Sequence, residues 1–398
     1  MRKIGILFLS FAAAVFFLAI AAGCSSDTST RDTGDGTGSL SLYLADAPAQ
    51  NYLAVYVTIK EVQVHTPDNG RGRGGWKTVG EPGKTYDLLE LVNGVVAKLG
   101  ETELDAGEYS QLRMILADEH DEHDGGENIL GNEHPYPNYF IDDTGAKALK
   151  VPSGSETGIK LVSGFTIYDG ENTELILDFD AHRSIVKAGR SGKYLLKPTI
   201  KVVEVYESAI VEGIVRDDSQ NRLADTLVSA QVYDADSEPV TVFTATRTDI
   251  DGGYKMRLPP DDYAIVAYKG TTEPGATVYG PECRWLEAGY GHYTGENFTL
   301  EAVVSRALSI DLEDIFGDVP ADAVISIRAL QAITCDDMNV TIEVASLFLQ
   351  DQEEDVIMVL PAGEYTIRAA TGEKVWEKTV NVEANEPESI KFLSDHAK

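Results

Sequence analysis

One six-residue stretch returns at domain-sized intervals and limits what this chain can fold into. Leu104-Asp105-Ala106-Gly107-Glu108-Tyr109 recurs as Leu258-Pro259-Pro260-Asp261-Asp262-Tyr263 and as Leu360-Pro361-Ala362-Gly363-Glu364-Tyr365. Pro presets φ at the start of a turn, and Gly in the fourth place accepts a positive φ. Asp261 stands where the other copies have Gly, which implies a different turn type there. After each Tyr the apolar residues alternate: Leu112, Met114 and Leu116; Ile265 and Ala267; Ile367 and Ala369. Period two is the signature of a half-buried strand. Three unrelated hairpins of similar chemistry would also give this pattern. The spacing favours three β-domains in a row, so the expected fold class is all-β: tandem antiparallel β-sandwiches with one short helix in the first.

The predicted layout is a signal segment over 1–23, a tether over 24–37, a β-rich domain over 38–206, a second sandwich over 207–300 and a third over 301–398. Met1-Arg2-Lys3 is a positive n-region and Ile4 through Ile20 an apolar h-region, followed by Ala21-Ala22-Gly23-Cys24. Small residues closing such a run mark a secretory signal. With Cys immediately after them, the site resembles a bacterial lipobox, and the resemblance implies lipidation of Cys24. The competing reading is an uncleaved membrane anchor, and the segment is near the lower length limit for spanning. Ser25 rather than Asp follows Cys24, which in a Gram-negative cell resembles the outer-membrane sorting pattern. The expected location is therefore the cell envelope, anchored through the N-terminal lipid. Apart from Arg31, Ser25 to Gly38 is Ser, Thr, Asp and Gly, a composition that buries no core.

Sixty-five acidic residues against 33 basic give a net charge of −32. That field disfavours nucleic acid and anionic headgroups as partners and favours cations. The bland account is an acidic extracellular surface. The two remaining cysteines, Cys283 and Cys335, lie in an oxidising compartment that permits a disulfide. Either a staple or two buried thiols fits the sequence; a bond would contribute roughly 3–4 kcal/mol.

Within the first domain, Val55, Val57 and Ile59 alternate on odd positions but Val62 and Val64 on even ones. A pleated strand changes face only through a bulge, which is expected near Lys60-Glu61. Leu88, Leu91, Val92 and Val95 have helical spacing, ending near Gly94. Later strands are expected over 159–167, 174–179 and 194–205. Asp46-Ala47-Pro48, Tyr56-Val57-Thr58-Ile59, Trp76, Asp87-Leu88-Leu89, Asn93-Gly94, Ala106-Gly107-Glu108-Tyr109, Val151-Pro152-Ser153-Gly154, Gly158-Ile159-Lys160, Asp178-Phe179-Asp180 and Leu196-Lys197-Pro198 occur in the order found in a family of bacterial and archaeal surface lipoproteins. The first domain resembles that family, a domain of unknown function, and the resemblance implies location but no activity. Ile210 through Asp217, Thr248-Asp249-Ile250-Asp251-Gly252-Gly253-Tyr254 and the Leu258 turn resemble the carboxypeptidase regulatory-like domain, a prealbumin-like sandwich grouped with carbohydrate-binding-like folds. Its members are accessory modules, which makes a fold-level analogy and no more.

Three places could carry chemistry. Asp118-Glu119-His120-Asp121-Glu122-His123-Asp124, with Glu127 and His134 following, offers a divalent-cation site using His120, His123, His134, Asp121 and Asp124. Imidazoles suit zinc and carboxylates suit calcium; a solvated acidic loop is the alternative. Asp178 and Asp180, two apart on one strand, share a face. With Asp46 they are a candidate cation set or a structural group of carboxylates, neutralised by Lys160, Lys197 or Arg183. Asp249, Asp251 and Gly252 loosely resemble a calcium loop, but hairpin capping accounts for them. Trp285, Tyr290, Tyr293 and Trp376 could stack sugars or fill cores. No nucleophile elbow, phosphate loop or Cys-His pair appears, and no catalytic residue is assigned. The leading expectation is a non-catalytic surface binding or scaffolding protein with a glycan or envelope-protein partner. The alternatives are a metal-dependent hydrolase using the 118–134 cluster and a purely structural, cation-stiffened envelope protein. No cofactor is fixed by the sequence; calcium and zinc are the cations its candidate sites suit.

Overall fold

Strands make up nearly all the regular structure in the computed structural model of the protein, and its class is all-β. The structure describes residues 36–47, 52–66, 74–119, 127–152, 157–188, 192–206, 208–232, 240–271, 274–289, 291–294, 296–312, 323–350, 355–372, 374–382 and 388–391. Residues 1–35, which hold the expected signal segment, Cys24 and most of the expected tether, lie outside them. Among the described residues helix is confined to a 3-10 turn, Leu88–Glu90, and one α-turn, Ala181–Ser184. The first stands where the apolar spacing places a helix but is shorter, stopping ahead of Asn93 and Gly94, whose φ values are +59° and +80°. No described helix is long and apolar enough to cross a membrane.

The repeated stretch turns out to be a corner rather than a hairpin. Strand Ala97–Asp105 pairs with Thr37–Ala47 in a four-stranded sheet, whereas Gly107–Leu116 pairs with Ala54–Thr66 and Ile159–Ile167 in a 13-stranded one. Gly253–Leu258 pairs with Ala209–Asp217, but Asp261–Lys269 pairs with Leu227–Val232 and Thr277–Ala288. Asp355–Pro361 pairs with Ala302–Asp311, and Gly363–Thr371 with Val324–Cys335 and Lys374–Val382. At every copy the chain leaves one sheet and enters the facing one. The Tyr ring fills the space under the step, and its hydroxyl donates to the main-chain carbonyl four residues back. Tyr109 reaches Asp105 at 2.8 Å, Tyr263 reaches Pro259 at 3.1 Å and Tyr365 reaches Pro361 at 3.0 Å. Only Gly107 among the three fourth-place residues takes a positive φ, +146°, so Gly363 is not needed for a left-handed turn.

Three hydrophobic cores follow the three corners. The first is built between Leu40 and Leu196, the second between Ala209 and Leu300, and the third from Leu308 to Ile390 with Ala264, Val266, Tyr268 and Cys283 added. Strand Asp261–Lys269 therefore serves two cores. Tyr263, Ile265 and Ala267 face the second, and Ala264, Val266 and Tyr268 the third. The disulfide Cys283–Cys335, Cα atoms 4.9 Å apart, lies at the same boundary. The sheets also cross boundaries. Ile185–Ala188 pairs in parallel with Met338–Gln350, and Thr277–Ala288 pairs with Ala302–Asp311. Thr33–Lys398 is accordingly one compact unit.

The parity switch in Ala54–Thr66 is a bulge, with the register against Gly107–Leu116 shifting between Ile59 and Glu61. The run expected over 194–205 is not one strand. Lys193–Leu196 and Ile200–Glu204 lie in different sheets, separated by Lys197-Pro198-Thr199. Pro198 has no N–H for a ladder, and the break occurs there.

Replacing Tyr109, Tyr263 or Tyr365 by Phe removes only the corner hydrogen bond. Each variant is expected to lose about 1 kcal/mol in urea unfolding. A loss well below that at all three would mean that the buried ring alone makes the corner.

Candidate functional site

The polar groups gather where the three cores meet. Strand Asn172–Asp180 runs parallel to Thr37–Ala47, which sets Asp180 beside Ala47 and Phe179 beside Asp46. Asp180 then caps the helical turn Ala181–Ser184: its Oδ1 accepts from Arg183 N at 2.9 Å and its Oδ2 pairs with Arg183 Nη1 at 3.1 Å. The N–H of Ala181 donates to Asp46 Oδ1 at 3.0 Å. A side chain capping its own turn satisfies an amide that would otherwise be orphaned.

Arg183 points out of that turn into the third core's sheet. Its Nη2 donates to Glu343 Oε1 at 2.7 Å, and Arg328 Nε donates to Glu343 Oε2 at 2.5 Å. The second core joins through Gln231, whose side chain pairs with the backbone of Glu343: Nε2 donates to the carbonyl at 2.9 Å, and Oε1 accepts from the amide at 2.8 Å. Arg328 Nη2 also donates to the Val240 carbonyl. His182 Nε2 meets the Ser346 carbonyl at 3.0 Å, so that nitrogen carries the proton. One carboxylate, two guanidiniums and one amide thus tie three cores together around a cavity of about 50 Å³.

Burial alone would raise the Glu343 pKa, but Arg183 and Arg328 outweigh it and hold the group below the ordinary carboxylate range. Burial works against the Arg183 charge too, and Glu343 and Asp180 hold it protonated. Burial lowers His182 and keeps the ring neutral. Asp178 differs. Removal from water raises it to about 6, against a hydrogen bond from Thr244 and the attraction of Lys201. Lys201 is itself lowered by burial to about 8, its ammonium donating to the Val242 and Phe243 carbonyls. Asp46, 4% exposed, is raised well above the ordinary carboxylate range: burial is the largest cause, followed by the like charges of Asp180, Asp178 and Asp87.

Of the three aspartates singled out in the sequence, Asp180 is thus committed to Arg183, Asp178 lies opposite Lys201 in the sheet, and Asp46 is buried against the turn. Arg183, rather than Lys160 or Lys197, neutralises Asp180. Sequence reading missed Glu343, Arg328, Gln231 and Lys201. The available signal was polar side chains flanked by apolar ones, Gln231 in Ala230-Gln231-Val232 and Glu343 in Ile342-Glu343-Val344.

In the acidic–His cluster, His120, Asp121, His123 and Asp124 lie outside the described residues. Asp118 and Glu119 are exposed. His134 is half-buried, its Nδ1 2.5 Å from the Tyr139 hydroxyl and its ring edge-on to Tyr56. No group of three His, Cys, Asp or Glu side chains poised for a metal occurs among the described residues. Asp249 Oδ1 accepts from the amides of Asp251 and Gly253, and the turn links two sheets rather than closing a hairpin. Trp376 is 1% exposed and belongs to the third core, so it offers no sugar platform.

Residues 37–198 match the family described as Domain of unknown function (DUF4382). No curated protein matches the chain. Among solved structures the chain is similar to the Bacillus anthracis TIE protein, at 17% identity and TM-score 0.19 over 91% of this chain and 51% of that one. It is similar to the streptococcal ancillary pilin at 10% identity and TM-score 0.19, covering 89% and 98%. The shaft pilin SpaA from Lactobacillus rhamnosus GG matches at 11% identity and TM-score 0.16, covering 47% and 97%. The chain spans about half the length of the Bacillus anthracis protein. Overlap this slight carries neither fold nor role across.

Two outcomes follow. Glu343→Gln leaves Arg328 without its counter-charge and Arg183 with Asp180 alone, and is expected to cost roughly 3–5 kcal/mol in denaturant unfolding; a cost under about 1 kcal/mol would show the hub to be solvated. Asp178 holds its proton more tightly folded, about 6 against an ordinary 3.8. Its contribution to stability is therefore full at low pH and lost as pH rises through about 6. Measured in chelator, the wild type should gain stability relative to Asp178→Asn on acidification from near pH 7 to near pH 5. A flat difference would place Asp178 in water.

Proposed function

We propose that this protein is a lipid-anchored component of the cell envelope whose β-sandwich body is a non-catalytic module for binding or scaffolding. The observation that carries the reading is the hub itself. Arg183, Glu343, Arg328 and Gln231 are spent on fastening one core to the next, and shared strands continue across the same boundaries. A body so fastened presents its surface in a fixed geometry, which lowers the ordering cost of binding at that surface. In this reading the modules span 38–206, 207–300 and 301–398, with the middle one of carboxypeptidase regulatory-like type. Cys24 carries the lipid, the Ser/Thr/Asp/Gly tether lifts the body off the membrane, and the partner is a glycan or an envelope protein. Cys24 and the tether rest on the sequence; the fastening of the cores is what the body adds to them.

The experiment is expression of the full chain in a lipoprotein-processing bacterium, with mass analysis of the N-terminal peptide and fractionation. Diacylated Cys24 in the membrane fraction is expected, and Cys24→Ser should release the body in soluble form. An unmodified Cys24 in a retained, uncleaved chain would overturn the anchor. The soluble body should bind an envelope glycan or protein at micromolar Kd or better and turn over no ester, peptide or glycoside. Zinc-dependent turnover abolished by His120→Ala with His123→Ala would replace this reading with the hydrolase.

A further inference from the structure

Strands Gly75–Gly80, Ala54–Thr66, Gly107–Leu116 and Ile159–Ile167 lie side by side and turn Val62, Val64, Leu112, Met114 and Leu161 into the first core. Their other face carries side chains that neither the hub nor the corners use. The register sets Trp76 opposite His65, Gln63 opposite both Thr78 and Arg113, and Arg113 opposite Lys160. Opposed residues of paired strands project to the same side. Gln111 and Val162 are the next opposed pair, and Val162 is 83% exposed.

These side chains are tied to one another. The Arg113 guanidinium lies over the Trp76 ring, 4.4 Å from its centre, and the His65 ring meets the same indole edge-on at 5.1 Å. Arg113 Nε donates to Gln63 Oε1 at 2.5 Å, while Gln63 Nε2 and Thr78 Oγ1 both donate to Glu61 Oε1. A guanidinium held through its Nε and one flat face keeps its two terminal nitrogens in a fixed fork. Among the described residues neither those nitrogens nor the Lys160 ammonium across the ladder has an acceptor.

Ordering side chains on an open face costs rotamer freedom and adds little stability. It does lower the cost of binding a ligand whose groups match that order. The free donors call for a negatively charged acceptor, and a planar fork matches a carboxylate through two parallel hydrogen bonds. The net charge of −32 does not cancel this, because at physiological salt exposed charges are screened within about 8 Å. The rest of the face decides what carries the carboxylate. Trp76 and Val162 offer apolar contact, and Gln63, Gln111 and Thr78 offer amides and a hydroxyl that donate and accept. A sugar has the same mixture, C–H faces rimmed by hydroxyls. A protein partner on so flat a face would need a larger apolar centre.

We propose that this face binds a carboxylated glycan, a chain containing uronic acids. The Arg113 fork takes a carboxylate with Lys160 beside it, and the sugar body lies along the Arg113–Trp76 stack. The inference rests on the reading of the body as a glycan-binding module and names the class of glycan.

The test is binding of the soluble chain with Cys24 replaced to polygalacturonate, dextran sulfate and neutral dextran, by calorimetry and affinity electrophoresis. Polygalacturonate should bind with a Kd of about 100 µM or better and lose severalfold affinity between about 50 and about 200 mM salt. Dextran sulfate should bind more weakly and neutral dextran not at all. Arg113→Lys, which keeps the charge and removes the fork, should weaken polygalacturonate about tenfold, and Lys160→Gln about threefold. Trp76→Ala should also weaken it about tenfold. Lys374→Gln, on a strand of the third core, should change nothing. The proposal is overturned if polygalacturonate does not bind, if dextran sulfate binds as tightly, or if Arg113→Lys and Lys160→Gln bind as the wild type does. A neutral glycan or envelope protein bound without help from these residues would overturn it too, while leaving the binding module in place. Arg113→Lys and Lys160→Gln decide should Trp76→Ala fail to fold.

Discussion

The architecture depends on one hydrogen bond made three times. When a chain steps from one sheet to the facing sheet, the ladder on the first side ends before the ladder on the second begins. In each corner a Tyr already buried for its ring turns its hydroxyl onto a main-chain carbonyl four residues back. The ring fills the gap between sheets and the hydroxyl gives that carbonyl a donor. This explains why the Tyr recurs while the turn residues vary. Asp105, Pro259 and Pro361 contribute only a main-chain oxygen, and Asp261 replaces Gly without loss because a left-handed φ occurs in the first corner alone.

Three sandwiches built this way could hang as separate beads. Two devices prevent it. The first is shared strand pairing, which makes the ladder of one core continue into the next. The second is the charged hub. Burying Arg183, Arg328 and Glu343 gains little net energy over an apolar contact of the same volume, because desolvation consumes most of the Coulombic attraction. What it provides is register. A guanidinium must meet a carboxylate at hydrogen-bond distance, whereas an apolar face tolerates sliding. Gln231 reinforces this by reading the backbone of residue 343, a contact that a shift of one residue would destroy.

Local pattern made the repeated turns, the Lys60-Glu61 bulge and strand Ile159–Ile167 legible, since each is decided by residues near in sequence; that each turn carries the chain into the facing sheet was not legible. The hub was not legible, and the reason is physical. Alternation in Val340, Ile342 and Val344 assigns one face to the core and leaves the other to water, so Glu343 reads as a solvent-facing charge. The second core covers that other face. Likewise Tyr263 to Tyr268 reads as a half-buried strand but is buried on both sides, because two cores share it. Asp46 could be picked out as unusual, yet its partner, the Ala181 amide, lies 135 residues away. The error over 194–205 has the same root: Tyr194, Leu196, Ile200 and Val202 keep parity across Pro198, and parity alone does not reveal that the chain changes sheets.

The hub also shows that burial does not decide the charge of its carboxylates. Glu343 and Asp46 are about equally removed from water, 8% and 4% exposed, yet they shift in opposite directions. The difference is where the bases are. Arg183 and Arg328 both turn toward the third core, which makes that boundary neutral within itself. Asp178 is left facing the second core, where Lys201 is committed to carbonyls and Lys255 to Glu212, while Asp46 shares the face of Leu44 and Phe179 toward the first. Glu343 stays charged until the medium is acidic enough to titrate a carboxylate stabilised by two guanidiniums. Asp178 takes up its proton at about 6. One boundary is therefore closed by the protein's own charges, and at the other the carboxyls hold protons instead.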